Sequence, residues 1–319
     1  MNHYSISVKP YSPDDKIYWD SFVDTSKNGT FLVSRDYMDY HADRFPDSSF
    51  IFYKREKIIA LFPATIHGDE LSSHQGLTYG GLVMDRKITA DETLEIFRLL
   101  ILKSKELGIN HIIYKAIPHI YHRLPSEEDL YALFVWNAHL IERKISSTIL
   151  LEERLKFRDI RKYGIRKALK ENIIIEETQD IAEFWQILTK NLNTKYHCNP
   201  VHSLAEMELL KSRFPANIRV FIARSAERVQ SGVVIYETPT VAHVQYISAS
   251  EEGKASGSLD LIFSTLINDV FKDKKYFDFG TSTEDGGYRL NEQLIYQKEG
   301  FGARGICYDT YKLIIPGSF

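Results

Sequence analysis

The sequence predicts an α/β protein with mixed sheets, made of two tandem domains of one fold. The chain has 319 residues, about twice the length of a typical domain, so two domains are expected. The same order of elements also occurs twice: strand, helix, helix, hairpin, strand, helix and strand follow one another in each half. A repeated element order without a residue-level repeat indicates two copies of one fold, which we expect over 1–152 and 153–319.

The composition is that of an ordinary globular protein. Hydrophobic residues make up 44% of the chain and charged residues 26%, which argues against a disordered chain. The net charge of −3 indicates no general surface for nucleic acid or an anionic membrane. Two cysteines, Cys198 and Cys307, cannot build a disulfide framework, so we expect reduced thiols. No secretory signal opens the sequence and no segment approaches the roughly 18 apolar residues that span a bilayer, so we expect a cytoplasmic protein without stable membrane insertion.

In the first half, the clearest helix is predicted over 91–107. Its apolar residues recur with a helical period, and Gly108 follows as a helix-ending residue. Before this helix, the polar and glycine-rich insert 72–81 contains His74 and Tyr79. Both are candidate substrate contacts, although a glycine-rich loop without a function explains them equally well.

Between the two halves, residues 152–172 read as a basic helical segment. Its cations are Arg158, Arg161, Lys162, Arg166, Lys167 and Lys170. One interpretation is recognition of phosphate or another anionic substrate. The other is a solvated helix face with interspersed acids.

In the second half, the most informative stretch is 241–311. A strand over 241–247 precedes a turn at 251–257, an apolar helix over 259–271 and a strand over 276–280. Loops at the ends of such strands are where a phosphate-bearing ligand and a second substrate meet in α/β proteins. We therefore expect the functional site in this half.

The turn at 251–257 is a candidate site for the donor molecule. A loop of glycine, serine and lysine before a helix can offer backbone N–H groups and one cation to a pyrophosphate. The candidate donor-binding residues are Gly253, Lys254, Ser256, Gly257 and, further along the chain, Lys298. The alternatives are an ordinary β-turn with a helix cap, and a surface lysine.

The strand over 241–247 carries polar side chains in an apolar setting. Alternation along a strand predicts that His243 and Gln245 share one face and that Tyr246 takes the other. Histidine titrates near neutral pH, so His243 is a candidate general base, with Gln245 and Tyr246 as candidate substrate contacts. A half-buried His–Gln pair without a function is the alternative.

The strand over 276–280 places Asp278 among aromatic residues. A carboxylate there must find partners or shift its pKa, and either outcome is compatible with catalysis. Glu284, beyond the end of this strand, is a second candidate base. Candidate substrate-positioning residues follow the strand as Ser282, Thr283, Asn291 and Glu292. Turn formation and helix capping explain the same residues without a function.

A metal site is not expected. His197, Cys198 and His202 lie close together in the sequence, but their spacing matches no zinc pattern. We keep His202 as a candidate substrate contact.

Several motifs, taken in order, resemble a known family. They are Tyr-Gly-Gly at 79–81, the basic helix around 160–168, and the segments 202–215, 243–246, 277–284 and 290–302. Together they resemble the tandem acyltransferase domains of the GCN5-related N-acetyltransferase (GNAT) superfamily, in the arrangement of FemABX-like proteins.

The resemblance implies two GNAT-like domains, the second of which binds the donor. It implies transfer of an acyl group, with acetyl-CoA or another acyl-CoA as donor. The implied acceptor is an amino group on a cell-envelope or polysaccharide precursor: a small amine, or a nucleotide- or lipid-linked sugar or peptide.

Two departures from the family pattern keep other interpretations open. The acyl-CoA loop of the superfamily reads Gln/Arg-x-x-Gly-x-Gly/Ala, whereas this chain has Lys-Ala-Ser-Gly-Ser-Leu at 254–259. Members that use aminoacyl-tRNA often carry a long coiled-coil arm, and no sustained heptad pattern is visible. The alternatives are an aminoacyl-tRNA donor and a non-catalytic binding protein that retains the fold.

Overall fold

The computed structural model describes residues 6–226 and 228–317. The chain forms two compact units. The first unit contains the chain up to Lys144, the short segment Glu284–Arg289, and the chain from Cys307 onward. The second unit contains Ile145–Thr283 and Leu290–Ile306. Among the described helices, none is both long and apolar enough to cross a membrane.

Helices and strands alternate along the chain. Up to the start of the second unit they are β1 (Ile6–Pro10), α1 (Lys16–Thr25), α2 (Arg35–Met38), β2 (Phe50–Lys54), β3 (Lys57–Phe62), β4 (Thr65–His67), β5 (Glu70–Ser72), β6 (Val83–Met84), α3 (Ala90–Glu106), β7 (His111–Lys115), α4 (Glu128–Val135) and β8 (His139–Leu150). They continue as α5 (Asp159–Lys170), β9 (Ile174–Glu177), α6 (Ala182–Tyr196), α7 (Leu204–Arg213), β10 (Ile218–Ser225), β11 (Arg228–Glu237), β12 (Val241–Ala249), α8 (Glu251–Ser256), α9 (Ser258–Thr265), β13 (Tyr276–Thr281), β14 (Thr283–Glu284), β15 (Arg289–Leu290), α10 (Glu292–Glu299) and β16 (Arg304–Ile314).

The first unit contains two groups of paired strands. One is the antiparallel sheet β1-β2-β3-β6, and the other has the order β4-β5-β7-β16, in which β5 and β7 run parallel. The second half of β16 pairs with β7, from Thr310 opposite Lys115 to Ile314 opposite His111. The last strand of the chain therefore completes the N-terminal unit.

Helix α3 shows how local sequence builds the first unit. Thr89 and Glu92 form a reciprocal capping box at its N-terminus, and Gly108 follows its end with a φ of +73°. Its apolar side, including Phe97 and Ile101, is buried in the core of the unit. The helix predicted over 91–107 is therefore confirmed.

The second unit is organised around one mixed sheet with the strand order β8-β13-β12-β11-β10-β9. Neighbouring strands are antiparallel except β12 and β13, which are parallel. One face of the sheet carries the aromatic core, in which Phe263 of α9 packs against Phe277 and Phe279 of β13. The prediction of an α/β fold with mixed sheets is confirmed.

The segment 251–257 is a helix rather than the predicted turn. Ser250 caps α8 by accepting a hydrogen bond from the N–H of Gly253 at 3.1 Å. Gly257 ends α8 in a left-handed conformation (φ +79°) and directly begins α9. The polar composition and the two glycines suggested a turn, but the serine cap and the following apolar helix stabilise a helical turn here.

Candidate active site

The carboxylate of Asp278 is the centre of the candidate site. This side chain lies on β13, the second strand in the order of the second unit's sheet, and is completely buried. Its Oδ1 accepts hydrogen bonds from the hydroxyls of Ser146 at 2.5 Å and Thr148 at 2.6 Å. Its Oδ2 lies 2.7 Å from Nδ1 of His243. The site therefore contains a histidine held by a buried carboxylate.

Strand register brings these residues together. His243 of β12 is directly opposite Asp278 of β13 in the parallel pair, and Asp278 is opposite Thr148 of β8 in the antiparallel pair. Ser146 and Thr148 are two residues apart and so project from the same face of β8. The sequence singled out His243 and Asp278 but missed Ser146 and Thr148. The signal was a polar run, Ser-Ser-Thr at 146–148, inside a buried strand.

The electrostatics favour an ionised Asp278. Burial alone would raise the pKa of this carboxyl, but the hydrogen bond and charge of His243 and the hydroxyls of Ser146 and Thr148 hold its pKa below the usual value. An ionised carboxylate accepts hydrogen bonds, so Nδ1 of His243 is the nitrogen that donates. A neutral His243 then carries its lone pair on Nε2. Its side chain retains 13% exposure, so solvent reaches the ring.

A buried lysine lies at the same strand end. Lys298 of α10 donates from Nζ to the carbonyl oxygens of Gly280 and Thr281, both at 2.8 Å. Burial lowers the pKa of Lys298 to about 8, and the negative charge of Asp278 partly opposes this shift. Gly280 has a φ of +76°, and a Cβ at this position would lie 3.4 Å from the ring of His243. A glycine here thus allows the strand to bend beside the histidine.

Two hydroxyls beyond this bend have no hydrogen-bond partner among the described residues. They belong to Ser282 and Thr283, and both oxygen atoms are buried. Asn291 lies beside Ser282, because its backbone N–H donates to the carbonyl of Ser282 at 2.9 Å. Its side chain caps α10 through the N–H of Leu294. Glu292, in the first turn of that helix, is exposed.

An irregularity in β12 changes which side chains share a face. Val244 and Tyr246 lie opposite successive residues of β11, so Gln245 is an extra residue in the strand. Val244 and Ile247 both pack on the aromatic core, which places Tyr246 on the opposite face, the face of His243. The prediction that Tyr246 takes the face opposite His243 is therefore wrong. It assumed regular alternation.

Tyr246 forms a second polar pair on this face. Its hydroxyl lies 2.6 Å from Nδ1 of His202, and its ring packs edge-on against Trp185 at 5.1 Å between centroids. His202 is 5% exposed. The structure thus joins two residues that the sequence singled out separately.

In the predicted donor loop, most polar groups already have hydrogen-bond or ion-pair partners within the protein. The N–H of Gly253 is used by the Ser250 cap, and Lys254 pairs with Glu251 at 2.5 Å. Ser256 is buried and donates to the side chain of Gln230 at 2.7 Å. The first turn of α8 also carries two acids, Glu251 and Glu252, whose charge opposes that of a phosphate.

Three candidate residues belong to the first unit. The carboxylate of Glu284 pairs with Arg289 at 2.5 Å in the hairpin of β14 and β15. His74 and Tyr79 are 1% and 2% exposed, so neither offers a surface to a substrate. Tyr79 uses its hydroxyl on Thr30, and burial lowers the pKa of His74 to about 3, so that histidine is neutral. Their contacts with a substrate stay a prediction.

Both cysteines are free thiols, and both are exposed. Within residues 6–226 and 228–317, no group of three or more His, Cys, Asp and Glu side chains is arranged to hold a metal ion.

Comparison with solved structures identifies the fold. The chain superimposes on FemX with a TM-score of 0.69 at 9% sequence identity, covering 97% of each chain. A proposed lysylphosphatidylglycerol synthetase C-terminal domain from Agrobacterium fabrum matches with a TM-score of 0.61 at 11% identity, over 96% of this chain and 93% of that one. A tandem GNAT protein from the clavulanic acid biosynthesis pathway, in a form without AcCoA, gives 0.51 at 10% identity, over 99% and 100%.

Neither a protein-family model nor a curated protein matches the sequence. The fold is thus the FemABX-like variant of the GNAT fold, as the sequence motifs indicated.

Proposed function

We propose that the second unit transfers an acyl group from an activated carboxyl donor to an amine. One observation carries the proposal: the buried Asp278 holds His243 at the strand end where Lys298 also lies. A histidine with a buried carboxylate partner is suited to general base catalysis, and a GNAT-like fold supports the choice of acyl transfer.

In the proposed reaction, Nε2 of His243 accepts the proton that the attacking amine loses. The new C–N bond forms as the bond between the carbonyl carbon and the donor's sulfur or oxygen breaks. The proton then passes to the departing thiolate or alkoxide, so atoms and charge balance. Asp278 orients the ring and stabilises the imidazolium that forms transiently.

Lys298 is proposed to stabilise the oxyanion that develops on the carbonyl. Its ammonium has three N–H groups, and two of them are used on the carbonyls of Gly280 and Thr281. The third can donate to a developing negative charge, and the burial of Lys298 strengthens such an interaction. The unpartnered hydroxyls of Ser282 and Thr283 are proposed to contact the acceptor.

The donor proposed from the family pattern is an acyl-CoA, such as acetyl-CoA. One observation favours a second candidate, an aminoacyl-tRNA. In the structure, the start of α8 is capped by Ser250 and carries Glu251 and Glu252, which leaves a poor cradle for the pyrophosphate of CoA. In both cases the acceptor is proposed to be an amino group on a cell-envelope precursor, which is the acceptor class implied by the motif resemblance.

Thermal-shift measurements with acetyl-CoA, CoA and a bulk aminoacyl-tRNA preparation distinguish the donors. A ligand present at 100 times its Kd stabilises the folded state by about 2.7 kcal/mol. Stabilisation by acetyl-CoA alone supports the CoA donor, and binding of aminoacyl-tRNA alone supports the second candidate. No binding of either kind would indicate a binding protein that retains the fold, and would overturn the proposal.

Turnover of the donor that binds, with a panel of amines, tests the base. We expect His243→Gln to lower kcat by about 100-fold or more, since a positioned general base contributes roughly that much. The matched control is Ser147→Ala, a buried hydroxyl of the same sheet that does not contact Asp278. Unchanged turnover in the His243 variant would remove His243 from the mechanism.

A further inference from the structure

The segment that includes α5 concentrates positive charge. From Arg154 to Lys170 there are eight lysines and arginines and a single acid, Asp159, in a chain whose net charge is −3. The segment is therefore +7, and the remainder of the chain is −10. The whole-chain charge conceals this local excess.

One side of α5 is already used for packing. Gly164 and Ala168 are buried, and Arg161 pairs with the largely buried Asp260 at 2.6 Å. The opposite side faces solvent. We call it the basic face of α5, and its residues are Ile160, Lys162, Tyr163, Arg166, Lys167, Leu169 and Lys170.

The charges of the basic face are only weakly neutralised. Lys162 lies 3.0 Å from Asp159 and Lys167 lies 3.9 Å from Glu171, and both are ion pairs in solvent, which contribute little. Arg166 and Lys170 form no ion pair with any residue that the structure describes.

Apolar side chains lie among these cations. Ile160, Tyr163 and Leu169 are 51%, 63% and 57% exposed. A shallow groove of about 550 Å³ runs beside Tyr163, Arg166 and Lys170, with Lys167 and Glu171 also lining it. Exposed apolar groups that are grouped together and rimmed by polar residues are typical of interaction surfaces.

We propose that the basic face of α5 docks on the surface of an anionic phospholipid bilayer. Lysines and arginines near such a surface are attracted by the negative headgroups, each contributing about 1 kcal/mol. Exposed aliphatic and aromatic side chains can enter the boundary between headgroups and acyl chains. Burying Ile160 and Leu169 favours binding at a bilayer boundary, whereas nonspecific nucleic-acid binding comes mainly from contacts between cations and phosphates. This docking requires no spanning helix, and it does not depend on the proposed reaction.

Flotation with large unilamellar vesicles tests the docking. We expect the full chain to bind vesicles of phosphatidylcholine that contain about 30 mol% phosphatidylglycerol, a composition that represents a strongly anionic membrane. It should not bind vesicles of phosphatidylcholine alone. The double variant Arg166→Gln/Lys170→Gln should bind about 30-fold more weakly, because each removed cation loses about 1 kcal/mol of attraction to the anionic surface. The control Lys57→Gln/Lys87→Gln removes two exposed lysines of the first unit and should bind like the unaltered chain.

A second variant separates lipid docking from simple charge attraction. Tyr163→Ser/Leu169→Gln keeps every charge and should also weaken vesicle binding. The affinity difference from the unaltered chain should persist at 0.5 M salt, where the Debye screening length is only about 4–5 Å and charge attraction is weak. All variants alter exposed side chains, and unchanged melting temperatures would show that they fold. Equal weakening by the control variant, full binding by the apolar variant, or binding of bulk tRNA in place of vesicles would each overturn the proposal.

Discussion

At the scale of single residues, neighbouring groups determine the protonation states of the charged side chains in the candidate site. Asp278 is ionised although it is buried, because two hydroxyls and His243 compensate for the loss of water. Lys298 shows the opposite balance, since two neutral carbonyls hold an ammonium whose pKa burial has lowered to about 8. Each case makes a separate pH-dependent prediction.

For Asp278, we expect Asp278→Asn to destabilise the protein by about 1.5–3 kcal/mol at pH 7, the range for hydrogen bonds to a charged group. The pKa of this carboxyl is lowered in the folded state, so its stabilising contribution is present above the unfolded pKa and is lost as pH falls through the folded pKa. The difference in melting temperature between the two proteins should therefore shrink below about pH 4. A difference that stays constant down to pH 2.5 would contradict this.

For Lys298, the linkage has the other sign. The unfolded lysine keeps its proton up to about pH 10.4, whereas the folded one releases it near pH 8, so the unfolded state binds more protons in this window. The stability of the unaltered protein relative to Lys298→Met should rise between about pH 8 and pH 10. Urea unfolding at pH 7, 8, 9 and 10 measures this, and a flat difference would argue against a buried, easily deprotonated lysine.

The identities of Asp278 and His243 could be predicted, but their contact could not. Each stood out as a polar residue in an apolar strand, and that signal is local. Their contact depends on the parallel register of two strands whose sequences contain no marker of register. The extra residue Gln245 was missed for a similar reason, because one inserted residue leaves the apolar composition of the strand unchanged.

At the scale of elements, helices α5, α8 and α9 meet through two glycines. A Cβ on Gly257 would lie 2.5 Å from the carbonyl oxygen of Gly164, so the backbones of α5 and the α8–α9 junction are in direct contact. The sequence placed Gly257 in a phosphate loop, and the structure shows it as a close-packing position. A local pattern of glycine and serine predicts both equally well.

We expect Gly257→Ala to destabilise the protein by roughly 2 kcal/mol or more, because it adds backbone strain to a steric clash. The matched control is Gly108→Ala, which has a similar φ (+73° against +79°) and nothing within 4 Å of the added Cβ. The control should lose roughly 1 kcal/mol from backbone strain alone. Equal losses in chemical denaturation would show that the contact with α5 contributes nothing.

At the scale of the whole molecule, the two units are not two consecutive halves of the chain. The first unit needs the segment from Cys307 onward, in which β16 pairs with β7 and Leu313 enters the core. Element order in the sequence suggested a division near residue 152, because local patterns do not show that a late strand pairs with the first unit.

This arrangement predicts how fragments behave. A fragment of residues 1–144 should lack a cooperative thermal transition, because β7 becomes an unpaired edge and Leu313 leaves a cavity in the core. Joining residues 307–317 to it through a flexible linker should restore the transition. Circular dichroism melting of both fragments measures the effect, and cooperative unfolding of the shorter one would contradict it.

The late position of β16 also has a consequence for synthesis in the cell. A ribosome makes most of the N-terminal unit first, yet the strand that completes it is made only after the second unit. At about 5–20 residues per second, the nascent first unit waits roughly 10–30 seconds with an open sheet edge while the second unit is made. During translation, the N-terminal unit is therefore the one whose sheet edge stays open to aggregation until β16 has been made.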